Sequence, residues 1–220
     1  MTVPNPQVED RGHRAFTLVE LLVVIAVLGL LVTMLVPSLA RAKLLARAAK
    51  AKAELHGIAT ALVIYQTDHG AFPPARTYCD YGDPAKADDW AELPPELASG
   101  HYRASGPDSN LTVNAVDPFN PGHTYKYLKP GRGYHNGSGT YISLWVPDAF
   151  PDGAGDAGRS YSREEESPVS FVLWSVGAAG DTGYWTALER HQPLDCRQWY
   201  GPARDEGLIV RARLGAGSYV

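Results

Sequence analysis

From residue 16 to residue 36 the chain is almost wholly apolar, broken only by Thr17, Glu20, Gly29 and Thr33. At 1.5 Å per residue such a run is about 30 Å long, one hydrocarbon thickness, and it predicts a helix that crosses a bilayer. Past Pro37 the pattern changes without ceasing to be helical. Leu44, Ala48, Ala51, Leu55, Ile58, Leu62 and Tyr65 recur at alternating spacings of four and three, which marks one apolar stripe. Pro37 is therefore expected to kink the helix rather than end it. Asp68, His69 and Gly70, with Pro73 and Pro74 beyond, supply the stop. The stripe is mostly alanine at first and larger from Leu55 onward, as if a folded head packed on the second half alone.

Beyond the helix the periodicity shortens to two. In residues 140–146, Ile142, Leu144 and Val146 alternate with Tyr141, Ser143 and Trp145. In residues 207–214, Leu208, Val210, Ala212 and Leu214 alternate with Ile209, Arg211 and Arg213. Both read as half-buried strands, whereas residues 169–176 are apolar on both faces and read as a central one. The fold class that follows is α+β: a long N-terminal helix with an antiparallel sheet packed on its second half. Its divisions are 1–15, ahead of the helix; 16–36, a transmembrane segment; 37–69, an amphipathic continuation; and 70–220, the head. The 22 Gly and 17 Pro fall mostly after residue 69, so the head is expected to be rich in turns.

Charge adds orientation. Arg11 and Arg14 just precede the apolar run, so the positive-inside tendency holds the N-terminus in the cytoplasm and sends the head across. The run is longer than a signal-peptide core, and no small-residue cleavage site follows it, so it reads as a retained anchor. Arg41, Lys43, Arg47, Lys50 and Lys52 read as a solvated helix face or a contact to lipid head groups. A formal net charge of -4 offers no field for nucleic acid, and no nucleic-acid partner is expected. Cys79 and Cys196 have no metal-ligand spacing. In an exported head they would form a disulfide closing a long loop, worth about 4–5 kcal/mol; otherwise they are two buried thiols.

One residue does not suit an ordinary anchor. A carboxylate at the centre of a membrane helix costs about 3 kcal/mol or more, so Glu20 is expected to serve function. Elsewhere candidate chemistry is thin. The glycine-rich residues 131–139 lack the Lys and helix of a phosphate loop and read as a hairpin connection. Glu164, Glu165 and Glu166 are consecutive and would not converge on one bond, and no two of the seven His stand at metal-ligand spacing. No catalytic residue and no metal site is expected, and the chain reads as no enzyme.

The stretch Phe16-Thr17-Leu18-Val19-Glu20-Leu21-Leu22 resembles the processing motif of type IV pilins and type II secretion pseudopilins. With Phe16 as the first mature residue, Glu20 falls at the family's acidic fifth position, Gly29 at its glycine and Pro37 at its proline. Ala15 stands where the family usually has Gly before the cut; cleavage after Gly12 would put Glu20 out of register. Residues 65–73, Asp117-Pro118-Phe119-Asn120-Pro121 with Tyr125-Lys126-Tyr127, and Phe171-Val172-Leu173-Trp174-Ser175-Val176-Gly177 resemble the head of the major, G-type pseudopilin.

The resemblance implies cleavage between Ala15 and Phe16 by a prepilin peptidase, with N-methylation of Phe16. It implies assembly through Glu20, which pairs with a neighbour's N-terminal amine, and helix flexibility at Gly29 and Pro37. The implied partners are the peptidase, further copies and other pseudopilins, an inner-membrane assembly platform and the bilayer. The implied place is the bacterial inner membrane, single-pass, with the filament in the periplasm. Calcium is the one cofactor it brings into view. The matching turn, Gly177-Ala178-Ala179-Gly180-Asp181, has Ala179 where the first acidic ligand would fall, and Asp181 alone makes a poor site. Within the class, a type IV or minor pilin for adhesion, motility or DNA uptake is the alternative. Outside it stands a membrane-anchored binding domain or enzyme.

Overall fold

The computed structural model describes residues 17–77, 91–98, 116–153, 157–177, 193–201 and 207–220. The chain divides into two units, Met1–Lys43 and Leu44–Val220. One helix, α1 (Leu18–His69), begins in the first and ends in the second. It passes through Pro37 without ending, as the periodicity required.

Within the first unit every described side chain is exposed, and the helix there is long and apolar enough to cross a membrane. Its polar side chains satisfy themselves on the helix. Thr33 Oγ1 donates to Leu30 O at 2.7 Å, and Ser38 Oγ donates to Leu35 O at 2.8 Å. Such back-bonding leaves no hydroxyl unmet where water is absent.

In the second unit the predicted stripe is the buried face of α1: Ala48, Ala51, Leu55, Ile58 and Leu62 are buried, with Leu44 and Tyr65 half-buried at its ends. The helix stops at Gly70, whose φ of +77° suits a residue without Cβ and whose N–H reaches Gln66 O at 2.8 Å.

The head holds three small sheets rather than the single antiparallel one expected. β2 (Lys126–Leu128), β7 (Val169–Ser175) and β8 (Ile209–Leu214) form an antiparallel sheet with β7 in the middle, the central place its two apolar faces demanded. β1 (Arg76–Thr77) pairs in parallel with β3 (Gly131–His135), which forms a hairpin with β4 (Ser138–Ile142). β5 (Leu144–Pro147) and β6 (Gly158–Tyr161) make a separate ribbon. The strand expected over 140–146 is thus divided at Ser143 between two sheets. Its alternation was nonetheless sound, since Ile142, Leu144 and Val146 are all buried. Period two reports which face is covered, and it does not report the pairing partner. The hairpin reading of residues 131–139 holds too: Asn136 and Gly137 form the turn, both at positive φ (+50° and +78°), as a two-residue connection of this hand needs.

Helix and sheet are joined by aromatic residues. Phe72 meets Phe171 edge-on at 4.9 Å between centroids. The Tyr127 hydroxyl donates to Pro73 O at 2.8 Å, and the Tyr125 hydroxyl donates to Glu54 Oε2 at 2.5 Å. Burial, then the hydrogen bond to Glu54, push the Tyr125 phenol well above its usual range, so it remains a donor. β8 is covered on both faces, because its arginines lie over rings: the Arg211 guanidinium is 4.3 Å from the centroid of Tyr219, and that of Arg213 is 5.4 Å from Phe72.

The stripe makes a direct prediction. Leu55→Ala opens a cavity at a fully enclosed position and should cost about 2–5 kcal/mol. Leu45→Ala, at an exposed position, should stay within about 0.5 kcal/mol. Urea unfolding of the chain in detergent micelles measures both, and equal effects would contradict the assignment of the buried face.

Candidate assembly site at the helix start

The first turn of α1 closes on itself through Thr17 and Glu20. Glu20 Oε2 accepts from Thr17 N at 2.9 Å and from Thr17 Oγ1 at 2.7 Å, while Glu20 N donates back to Thr17 Oγ1 at 3.2 Å. This is the reciprocal capping box, with Thr17 before the first helical residue and Glu20 three positions on. It satisfies amide donors that the start of a helix leaves without partners, and it places negative charge at the positive end of the helix dipole. The sequence reading assigned Glu20 a partner in another subunit and overlooked the one beside it. The signal was present as Thr-x-x-Glu ahead of an apolar run.

The remaining landmarks stand apart from this turn. Ala15 and Phe16 lie outside the described residues. Gly29 is exposed, and a Cβ built there would meet nothing within 4 Å, so packing within one chain does not call for glycine at that position. Pro37 is likewise exposed inside the helix. From Leu18 to Val36 large apolar side chains face outward on all sides, which marks a lipid or protein contact rather than a solvated surface.

Farther along, the basic residues are only partly a solvated face. Lys50 approaches Glu54 at 3.8 Å, and the Lys52 ammonium sits 5.3 Å from the Tyr200 ring centroid. The first pair lies along the helix itself, and the second leans on the head.

Other candidates resolve into structural roles. Glu164 accepts from the buried Lys129 ammonium, and Glu166 lies 3.3 Å from Arg163, so the acidic turn is tied down by its own cations. Cys196 is half-buried on a short turn, Cys196–Gln198, that Asp195 caps. Its expected disulfide partner, Cys79, lies outside the described residues. Of the turn considered for calcium, Gly177 is described and residues 178–181 are not. Gly177 has φ +73°, and a Cβ there would fall 1.7 Å from Gly207 O, so only glycine fits. Among the described residues no group of three or more His, Cys, Asp or Glu is placed to hold a metal.

Asp117 is a carboxylate buried in the head, 1% exposed. Its Oδ1 accepts from Phe119 N (2.9 Å) and Ser175 Oγ (2.7 Å), and its Oδ2 accepts from Val176 N (2.9 Å). One carboxylate thereby ties the loop after Asp117 to the end of β7. Burial raises its pKa from the usual aspartate value, and the three hydrogen bonds and Lys126 only partly offset that.

Comparison with known proteins extends the picture. Residues 10–36 match the prokaryotic N-terminal methylation motif. The chain is similar to the type II secretion system core protein G of Dickeya chrysanthemi, 32% identical over 150 residues that cover 68% of this chain and 88% of that protein. Against the core protein G of Pseudomonas aeruginosa it is 28% identical over 123 residues, 56% of this chain and 78% of the relative. Against that of Aeromonas hydrophila it is 32% identical over 126 residues, again 56% and 78%. No solved structure matches at a comparable level.

Asp117→Ala should leave two amides and a hydroxyl without an acceptor and cost about 2–4 kcal/mol. The pH dependence has a definite sign. Because the folded pKa exceeds the unfolded value, the native state holds the extra proton, and stability falls as pH rises from the usual aspartate range through the raised value. The advantage of the native sequence over Asp117→Ala should therefore be greatest at the acid end and level off above the window. Urea unfolding of both chains across that range measures it, and an advantage that grows with pH would contradict the reading.

Proposed function

The chain belongs to the core protein G family of type II secretion, the major pseudopilins, and on that premise we propose how its own residues build a filament. Homologues of this kind are subunits of the pseudopilus, and the single apolar N-terminal helix fits a subunit anchored in the inner membrane.

In the proposed sequence of events a prepilin peptidase cuts between Ala15 and Phe16 and methylates the new amine. The N-terminus lies on the cytoplasmic side, and the head and the finished filament lie in the periplasm. Before assembly Glu20 is held by Thr17, which lowers the cost of carrying a carboxylate at the edge of hydrocarbon. On assembly, the Phe16 amine of an adjoining subunit pairs with Glu20. The pair neutralises both charges in a medium of low dielectric, where either alone would be expensive. The exposed apolar surface of α1 first contacts lipid and then other helices, while the platform and sibling pseudopilins guide insertion. The work is mechanical; no residue is assigned a catalytic step, and no cofactor is required. Membership of the family carries this reading, and the position of Glu20 in a self-capped first turn supports it.

Two measurements test it. Glu20→Ala should leave membrane insertion intact but remove a pair worth about 3 kcal/mol, weakening subunit addition about a hundredfold and abolishing pseudopili seen by electron microscopy. Wild-type filament yield from that variant would overturn the pairing. Mass spectrometry of the membrane-extracted chain should find N-methylated Phe16 as its first residue, and a chain retaining Met1 would contradict processing. Ala15→Gly should speed the cut.

A further inference from the structure

The β3–β4 hairpin presents a surface that the filament reading does not use. With Asn136 and Gly137 as a two-residue turn, the register pairs His135 with Ser138, Gly133 with Thr140 and Gly131 with Ile142 across the ladder. Residues between them turn their peptide groups the other way. On β3 this is observed, since Tyr134 N donates to Ala75 O at 2.9 Å, toward β1. On β4 the same alternation turns the N–H and C=O of Gly139 and Tyr141 away from β3. β4 is the last strand of its sheet, and among the described residues nothing pairs with that edge.

The side chains beside the edge form a groove of about 540 Å³, lined by Arg132, Gly133, Tyr134, Gly139, Thr140 and Tyr141. Arg132 and Tyr141 face each other across the strands, as do Tyr134 and Gly139. Tyr134 is 40% exposed and Tyr141 58%, large aromatic surfaces for a solvated hairpin. Tyr134 is held from behind by the Arg76 guanidinium, 4.8 Å from its centroid, and Arg76 is itself paired with Glu96 at 2.6 Å. A Cβ on Gly139 would meet nothing within 4 Å, so the gap opposite Tyr134 stands open. Among the described residues the only charged side chain lining the groove is Arg132, and no carboxylate there pairs with it. The acidic turn lies behind the sheet, where Glu164 packs on the side to which a Gly131 Cβ would point.

We propose that β4 and this groove bind an extended segment of another polypeptide, added as a strand at Gly139 and Tyr141, with an acidic side chain on Arg132. Backbone groups at a free edge supply affinity in such additions, and pockets for alternate side chains supply choice. Here the two tyrosines take an apolar or aromatic side chain and the guanidinium takes a carboxylate, with two donors in one plane. A second copy is the poorer occupant, because it brings another Arg132 to the same edge and its own β4, Ser138–Ile142, carries no carboxylate.

The test uses the full chain in detergent micelles and three capped hexapeptides of alternating threonine and valine, with glutamate, glutamine or lysine at one central position. The glutamate peptide should bind about tenfold or more tightly than the lysine peptide, by fluorescence anisotropy. It should slow amide exchange at Gly139 and Tyr141 and leave Tyr134 unchanged. Arg132→Glu, at an exposed position where folding is not at stake, should reverse the order of the glutamate and lysine peptides. Equal affinity for all three, unaltered exchange at the edge, or indifference to Arg132→Glu would overturn the proposal. So would self-association that protects Gly139 and Tyr141 with no peptide bound, which would make a second copy the occupant.

Discussion

Along α1 the backbone hydrogen bonds are closed within the helix, and this self-sufficiency is the constraint on which the other features rest. A chain that meets its own donors and acceptors is indifferent to whether lipid, protein or water surrounds it. Side chains alone then decide the environment. Through residue 36 they are apolar in every direction; from Ala48 they are apolar on one side only. Self-sufficiency lapses at Pro37, which has no N–H to give Thr33 O, and at the two helix ends. Thr17 and Glu20 answer the orphan donors at one end, and Gly70 turns the chain out at the other.

The head is fastened to the helix by a small number of directional contacts set in a nonpolar bed. Hydrophobic burial of Leu55, Ile58 and Leu62 against the sheet supplies most of the free energy but little direction. Direction comes from Tyr125 on Glu54 of the helix and Tyr127 on Pro73 just beyond its end, each an aromatic body in the core with a polar tip meeting a specific acceptor. Asp117 does for the loop after it what these tyrosines do for the helix. Buried charge is costly, and it is retained where three donors converge on two oxygens.

Local pattern made much of this legible. The stripe from Leu44 to Tyr65, the helix stop at Gly70 and the central place of β7 all follow from periodicity over enough residues to outweigh accident. The motif around Glu20 was legible as well, though its geometry was half read: the pairing across subunits was inferred while the contact to Thr17 went unnoticed. What pattern did not disclose was partnership across long sequence distances. Arg76 and Thr77 are too few to announce a strand, and their parallel pairing with Tyr134 and His135 depends on where the chain has been carried in between. Ser143 has no property that marks a change of sheet. The glycines of β3 read as loop residues, yet Gly133 lies in a strand, and β1 packs so close that a Cβ there would fall 2.5 Å from Ala75 O.

The close meeting of Gly177 and Gly207 has a bearing on how this head tolerates change. Their backbones touch where β7 ends and shortly before β8 begins, so the excursion of chain between them is cinched at its base. Lengthening a loop whose ends are already held costs only about 0.6 kcal/mol per doubling. Two glycines thus hold the base of that excursion in register with the sheet, while Leu194 in the core and Trp199 beside Leu208 fasten its later part to the head. In engineering terms the pair is a clasp, and foreign sequence exchanged inside it keeps the neighbouring strands in step only if Leu194 and Trp199 keep their seats.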